Sequence, residues 1–126
     1  MYETKTVMTA EVRTVRRQTP IYDAVEVLLD SGVTGLPVVD DDMTLVGIIT
    51  EKDVLRLLSQ VEDESATVGQ FMTRDVVSFD DEADLIEICE CLIESDFRRV
   101  PIISQGKLAG IVSRRDIIKY ILDPIG

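Results

Sequence analysis

The sequence predicts an α/β (more narrowly α+β) fold: two β-α-β-β-α repeats packed through their sheets with pseudo-twofold symmetry. Three observations lead there. First, the chain repeats itself: Val7-Met8-Thr9 returns as Phe71-Met72-Thr73, and Leu36-Pro37-Val38-Val39 as Val100-Pro101-Ile102-Ile103, both 64 positions on. Leu45-Val46-Gly47-Ile48-Ile49-Thr50 returns as Leu108-Ala109-Gly110-Ile111-Val112-Ser113, 63 positions on, so one residue is lost in the turn after Asp40 and Ser104. Second, each copy holds a helical apolar stripe followed by two short apolar runs. Third, a half of about 60 residues has a marginal core by itself, so the halves are expected to pack together. The first repeat is read as residues 1–62 and the second as 63–126.

The elements follow in order. A short extended segment after each Met-Thr supplies a strand, around Val12 to Thr14 and around Val76 and Val77. Ile21, Ala24, Val25, Leu28 and Leu29 then make an i, i+3, i+4, i+7, i+8 stripe, repeated by Leu85, Ile88, Cys89, Leu92 and Ile93. The first helix is expected to take Thr19 as N-cap with Pro20 at its first position and to stop near Ser31-Gly32. The second is expected to begin among Asp80, Asp81 and Glu82, where negative charge suits a helix N-terminus. Apolar runs at 36–39 and 45–49, and again at 100–103 and 108–112, are separated by polar turns and read as hairpins. Each hairpin leads into a helix, at 51–60 and 114–122, and residues 61–68 read as a polar junction.

Composition narrows the chemistry. The chain has 126 residues, 45% of them hydrophobic, with no run of roughly 18 apolar residues and no signal-peptide pattern at its start, which leads to the expectation of a soluble cytoplasmic protein. It contains no histidine, so imidazole acid–base chemistry, a Ser-His-Asp triad and imidazole metal ligation are excluded. Cys89 and Cys91 are too close for an ordinary disulfide and too few for a structural zinc site, so both are read as free thiols, Cys89 in the core. Thirteen basic against 24 acidic residues give a net charge of −11, which repels nucleic acid and anionic membranes. Any anion site must be a local basic pocket.

Two motifs carry candidate chemistry. Thr50-x-x-Asp53 and Ser113-x-x-Asp116 have the spacing of a helix capping box, and an Asp in a first helical turn can also project its carboxylate toward a ligand. The adjacent pair Arg98-Arg99 stands where the first repeat has Thr34-Gly35. Two guanidiniums before a strand serve either a solvated salt-bridging surface or phosphate oxygens, which fit the planar donor fork of Arg. Arg114 and Arg115 open the last helix, where positive charge opposes the macrodipole; Arg16 and Arg17 read as solvated. Gly47 and Gly110 sit inside strands, which fits a bulge or a close backbone approach.

Two copies of Met-Thr, an apolar-Pro-Val-Val type strand and Gly-apolar-apolar-Ser/Thr-x-x-Asp resemble the CBS (cystathionine-β-synthase) domain, over nearly the whole chain. The resemblance implies a paired, stand-alone Bateman module: a regulatory, non-enzymatic sensor of adenine nucleotides or related adenosyl ligands, namely AMP, ADP, ATP or S-adenosylmethionine. It also implies a flat homodimer acting on an unidentified regulated protein, without a metal or resident cofactor. It further implies two clefts, each drawing on both repeats. A phosphate-bearing cleft would combine Thr50 and Asp53, with Ile48 of the strand before them, with Thr73, Val76, Val77, Arg98, Arg99 and Val100. A second cleft would combine Ser113, Asp116 and Ile111 with Thr9, Val12, Thr14, Thr34, Gly35 and Leu36, and would take a less negative ligand or stay empty. In each, the Asp would hold ribose hydroxyls. The alternative is a dimerisation or protein-interaction scaffold with vestigial clefts, and retention of both Asp residues and the Arg pair favours binding over it. An enzyme is disfavoured because the sequence shows no nucleophile–base pair, metal cluster or Gly-rich phosphate loop of known type.

Overall fold

The computed structural model describes residues 3–60 and 65–124. These fall into two compact units, one within Arg13–Val76 and one within Met1–Val12 and Val77–Gly126. Each is a mixed α/β assembly around a small sheet.

In the Arg13–Val76 unit, helix α2 (Ile21–Ser31) precedes an antiparallel hairpin of β1 (Gly35–Val39) and β2 (Leu45–Thr50). Two short helices follow, α3 (Glu51–Leu55) and α4 (Leu57–Gln60), and then α5 (Val68–Phe71). Ile21, Ala24 and Leu28 of α2 pack with Leu36, Val38, Ile49, Ala66, Val68 and Met72 into one core. Each fully buried aliphatic side chain there contributes roughly 2 kcal/mol of hydrophobic stabilisation. The helix ends at the stop expected near Ser31-Gly32, where Gly32, with φ of 65°, supplies a left-handed C-cap.

The second unit repeats this plan. Its elements are α1 (Thr4–Val7), β3 (Phe79–Asp80), α6 (Leu85–Glu94), β4 (Arg99–Ser104), β5 (Lys107–Ser113) and α7 (Arg114–Leu122). The strand order is β3-β4-β5, with β3 parallel to β4 and β4 antiparallel to β5. Leu85, Ile88 and Leu92 pack with Val100, Ile102, Val112 and Ile117. The shorter turn of this hairpin passes through Gln105 and Gly106, both at positive φ, which suits a tight two-residue reversal.

Several local readings are corrected. Pro20, not Thr19, occupies the N-cap of α2, because the Thr19 hydroxyl accepts from Arg16 N at 2.9 Å. Helix α6 starts later than Asp80–Glu82: Asp80 accepts from Glu82 N in a turn, and Asp84 is the N-cap, accepting from Ile86 N. The extended segments pair just beyond their expected places, one residue past Thr14 and two past Val77. Val15 bridges Val38 and Phe79 pairs with Ile102, while Val12 to Thr14 and Val76–Val77 form no strand. The helix expected over 51–60 is broken at Arg56, whose N–H bonds the Asp53 carbonyl at 3.4 Å in a tightened turn. Of the expected junction, residues 61–64, and with them the repeat boundary at 62 and 63, lie outside the described residues. Ala66 and Val68 are core rather than polar junction. Leu29 and Ile93, counted in the apolar stripes, are 79% and 75% exposed.

The leading segment of each repeat belongs to the unit formed by the other repeat's hairpin. Thr9 exchanges backbone hydrogen bonds with Ile111, at 2.8 and 2.9 Å, and Thr73 does the same with Ile48. Glycine makes both approaches possible. A Cβ on Gly110 would lie 2.7 Å from the Thr9 carbonyl oxygen and 2.9 Å from Met8 Sδ; one on Gly47 would lie 2.9 Å from the Thr73 carbonyl and 2.8 Å from Met72 Sδ. The register also slips beside each glycine, between Val38 and Val39 and between Ile102 and Ile103. Both readings of these glycines, bulge and close approach, therefore hold. Among the described residues no helix is long and apolar enough to cross a membrane.

Candidate ligand-binding sites

Each hairpin hands its second strand directly to a helix, and the Ser/Thr-x-x-Asp motif sits on that junction. In the first unit Thr50 is the N-cap of α3. Its hydroxyl accepts from Asp53 N at 3.2 Å while its own N–H donates to Asp53 Oδ2 at 2.9 Å, a reciprocal capping box. In the second unit Ser113 and Asp116 make the same box at the start of α7, at 3.0 and 2.9 Å. The capping reading of both motifs is correct, and it leaves each carboxylate held at a fixed place on a hairpin–helix junction.

The Met-Thr segments complete these places. Thr73 donates to Asp53, its hydroxyl 3.1 and 3.2 Å from the two carboxylate oxygens. Thr9 donates to Asp116 Oδ1 at 3.3 Å. Within one unit the fold therefore gathers Ile48, Thr50, Asp53 and Thr73; within the other it gathers Ile111, Ser113, Asp116 and Thr9. Of the remaining predicted residues, Thr14, Thr34, Gly35, Leu36 and Val76 lie in the unit of Asp53, and Val12, Val77, Arg98, Arg99 and Val100 in that of Asp116. Leu36 and Val100 are core residues, each 1% exposed, so neither offers its side chain to a ligand.

The residues before β1 and β4 lie against the helix starts of their own units. Thr34 carbonyl accepts from Glu51 N at 3.0 Å and Arg98 carbonyl from Arg114 N at 2.8 Å, while Arg99 stands opposite Ser113 in the β4–β5 register. The Arg99 Nε is buried with no hydrogen-bond partner among the described residues. A buried guanidinium N–H without an acceptor costs free energy, and an anion supplies what it lacks.

The remaining basic residues have local explanations. Arg114 donates to the Ser95 carbonyl at 3.0 Å, at the C-cap of α6, so the charge that opposes the α7 dipole favours the end of α6 instead. Arg16 pairs with Asp41, and Arg17 with Asp40 at 3.3 Å, in agreement with a solvated role. Cys89 and Cys91 are half-buried free thiols packed against the core of their unit. The residue that sequence reasoning missed is Arg56, whose guanidinium lies 3.6 Å from Asp53 Oδ1. Its i, i+3 spacing from Asp53 was the available signal.

Comparison with known proteins agrees with this architecture. The CBS domain family matches twice, at residues 5–60 and 68–123. The chain is 34% identical to protein MJ1225 of Methanocaldococcus jannaschii over 115 residues, which is 91% of this chain but 41% of that one. Among solved structures it superposes on CBSX2 in complex with AMP with a TM-score of 0.87 at 33% identity, covering 98% of both chains; CBSX2 is a CBS-pair protein from Arabidopsis thaliana. It also matches the CBS domain pair of protein MJ0100 in complex with 5′-methylthioadenosine and S-adenosyl-L-methionine, with a TM-score of 0.78 at 25% identity, covering 94% of this chain and 98% of that one. Two matched copies, each with its Ser/Thr–Asp box closed by a Met-Thr threonine, make the chain a member of the CBS domain family, with the two domains in tandem.

Proposed function

We propose that the protein is a regulatory module that senses an adenosyl ligand, with Asp53 and Asp116 holding ribose hydroxyls and Arg98 and Arg99 holding phosphate oxygens. The observation that carries this reading is the pair of carboxylates fixed at hairpin–helix junctions, in a chain similar along 98% of its length to the AMP-bound CBSX2. The unpartnered Arg99 Nε supports a phosphorylated ligand such as AMP, ADP or ATP. The likeness to the MJ0100 pair supports S-adenosylmethionine as the other candidate class.

Ligand binding changes the population of chain conformations only as far as it favours one of them, and it is this difference that a regulated partner reads. The role assigned is binding rather than catalysis, in a reducing compartment such as the cytoplasm, where Cys89 and Cys91 stay as thiols. Self-association is part of the reading. Leu29, Leu55 and Leu58 are 79%, 66% and 93% exposed, and their counterparts in the second repeat, Ile93, Ile118 and Ile121, are 75%, 63% and 72% exposed. Matched apolar positions of this kind suit an isologous homodimer.

Titration calorimetry against AMP, ADP, ATP, S-adenosylmethionine and adenosine, with mass by light scattering, tests the reading. Arg99→Ala is expected to weaken AMP about tenfold, the worth of one charge-assisted hydrogen bond, and to leave adenosine unchanged. Equal losses for both ligands would remove the phosphate assignment. No binding by any of the five would remove the sensor itself.

A further inference from the structure

The two carboxylates have the same sequence role but different vacancies. A carboxylate offers about four lone-pair sites. Asp53 accepts three hydrogen bonds among the described residues, from Thr50 N and the Thr50 hydroxyl, both at 2.9 Å, and from the Thr73 hydroxyl, and the Arg56 guanidinium stands 3.6 Å from its Oδ1 as an ion pair. The Asp53 side chain is 3% exposed. Among the described residues Asp116 has two donors, Ser113 N at 2.9 Å and the Thr9 hydroxyl at 3.3 Å, and it is only partly buried. The residue that corresponds to Arg56 is Lys119, and among the described residues no ion pair joins Lys119 to Asp116. A ribose diol brings two donors, which matches the two sites left on Asp116, whereas the one site left on Asp53 faces the Arg56 guanidinium.

We propose that Arg56 is a latch that makes the two sites unequal: Asp116 takes the first ligand, and Asp53 takes one only when Arg56 gives up its carboxylate. This rests on the reading of the two Asp residues as ribose ligands and adds an order of occupancy and the residue that sets it. Arg56 is suited to release. Its side chain is 54% exposed, so the guanidinium that leaves Asp53 passes into water and the exchange costs only a partly screened ion pair. The capping box remains when it leaves, since Thr50 and not Arg56 closes the box. The latch is a specificity device, because a ligand must replace a charged donor at one site and nothing at the other.

Calorimetry of the full chain with adenosine, which carries no phosphate, tests this. The unaltered protein is expected to show one principal binding event, lost in Asp116→Asn and retained in Asp53→Asn. Arg56→Gln is expected to tighten the second event about fivefold, the worth of a partly screened ion pair, without altering the first; the gain disappears in Arg56→Gln/Asp53→Asn. A residue with only a structural role would weaken binding or leave it unchanged when removed, so the gain is the diagnostic result. Two equal events in the unaltered protein, loss of the principal event in Asp53→Asn, or no gain in Arg56→Gln would each overturn the latch while leaving the sensor standing. Absence of adenosine and nucleotide binding from every variant would remove both.

Discussion

Asp53 and Asp116 sit at equivalent places in the two repeats and cap their helices through the same two hydrogen bonds, yet one is a buried hub and the other is half open. The difference arises outside the motif. Arg56 against Lys119, and a Thr73 contact shared between both carboxylate oxygens against a single longer one from Thr9, turn one motif into two environments. Duplication thus preserves the backbone frame, whose geometry depends on many coupled contacts, while single side chains at its edge are free to diverge.

The strongest way to break this comparison is through the frame itself. Gly110→Ala and Gly47→Ala force a Cβ to within 3 Å of a backbone carbonyl, of Thr9 and of Thr73 respectively. Each is expected to cost about 1–3 kcal/mol in urea unfolding. Unchanged stability in both would show that the Met-Thr segments do not need the close approach.

The comparison is sharpened by removing the carboxylates. Asp53→Ala removes a buried acceptor from Thr50 N and from the hydroxyls of a half-buried Thr50 and an exposed Thr73, and is expected to cost about 2 kcal/mol. Asp116→Ala removes a more exposed cap and is expected to cost about 1 kcal/mol. Equal losses would mean that burial does not distinguish the two.

The smallest effect belongs to the segment that delivers Thr9. Lys5, on the surface, donates to Glu82 at 3.0 Å and lies near Asp81; that hydrogen bond first, and these charges second, raise its pKa above the usual 10.5. A raised folded-state value means that its stabilisation is fully present below 10.5 and fades as pH rises through the raised value. Thermal melts of the unaltered protein and Lys5→Met are expected to differ slightly near neutral pH and to converge in strong alkali. A gap that persists there would point to packing rather than charge.

Much of this was legible in the sequence because it is periodic. The repeat located both hairpins, the last helix and the Gly32 stop, since alternation, helical spacing and a left-handed cap are local requirements that a few neighbours satisfy. The helix starts were less legible. Pro20 and Asp84 act as caps where Thr19 and Asp80–Glu82 were expected, because several adjacent Thr and Asp side chains could each serve, and the hydrogen bonds of Thr19 to Arg16 and of Asp80 to Glu82 decided between them. The one-turn helices α1 and α5 carry too few residues for a period to show.

By itself the sequence determined the two-copy plan, the pairing of a hydroxyl with a carboxylate three residues on, and the exclusion of histidine chemistry. Only the tertiary structure decided which unit each Met-Thr segment joins, why Gly47 and Gly110 must be glycine, and that Arg56 closes over Asp53 while Asp116 stays open. Those facts depend on residues far apart in the chain, or on the direction one side chain takes, and neither is encoded in spacing alone.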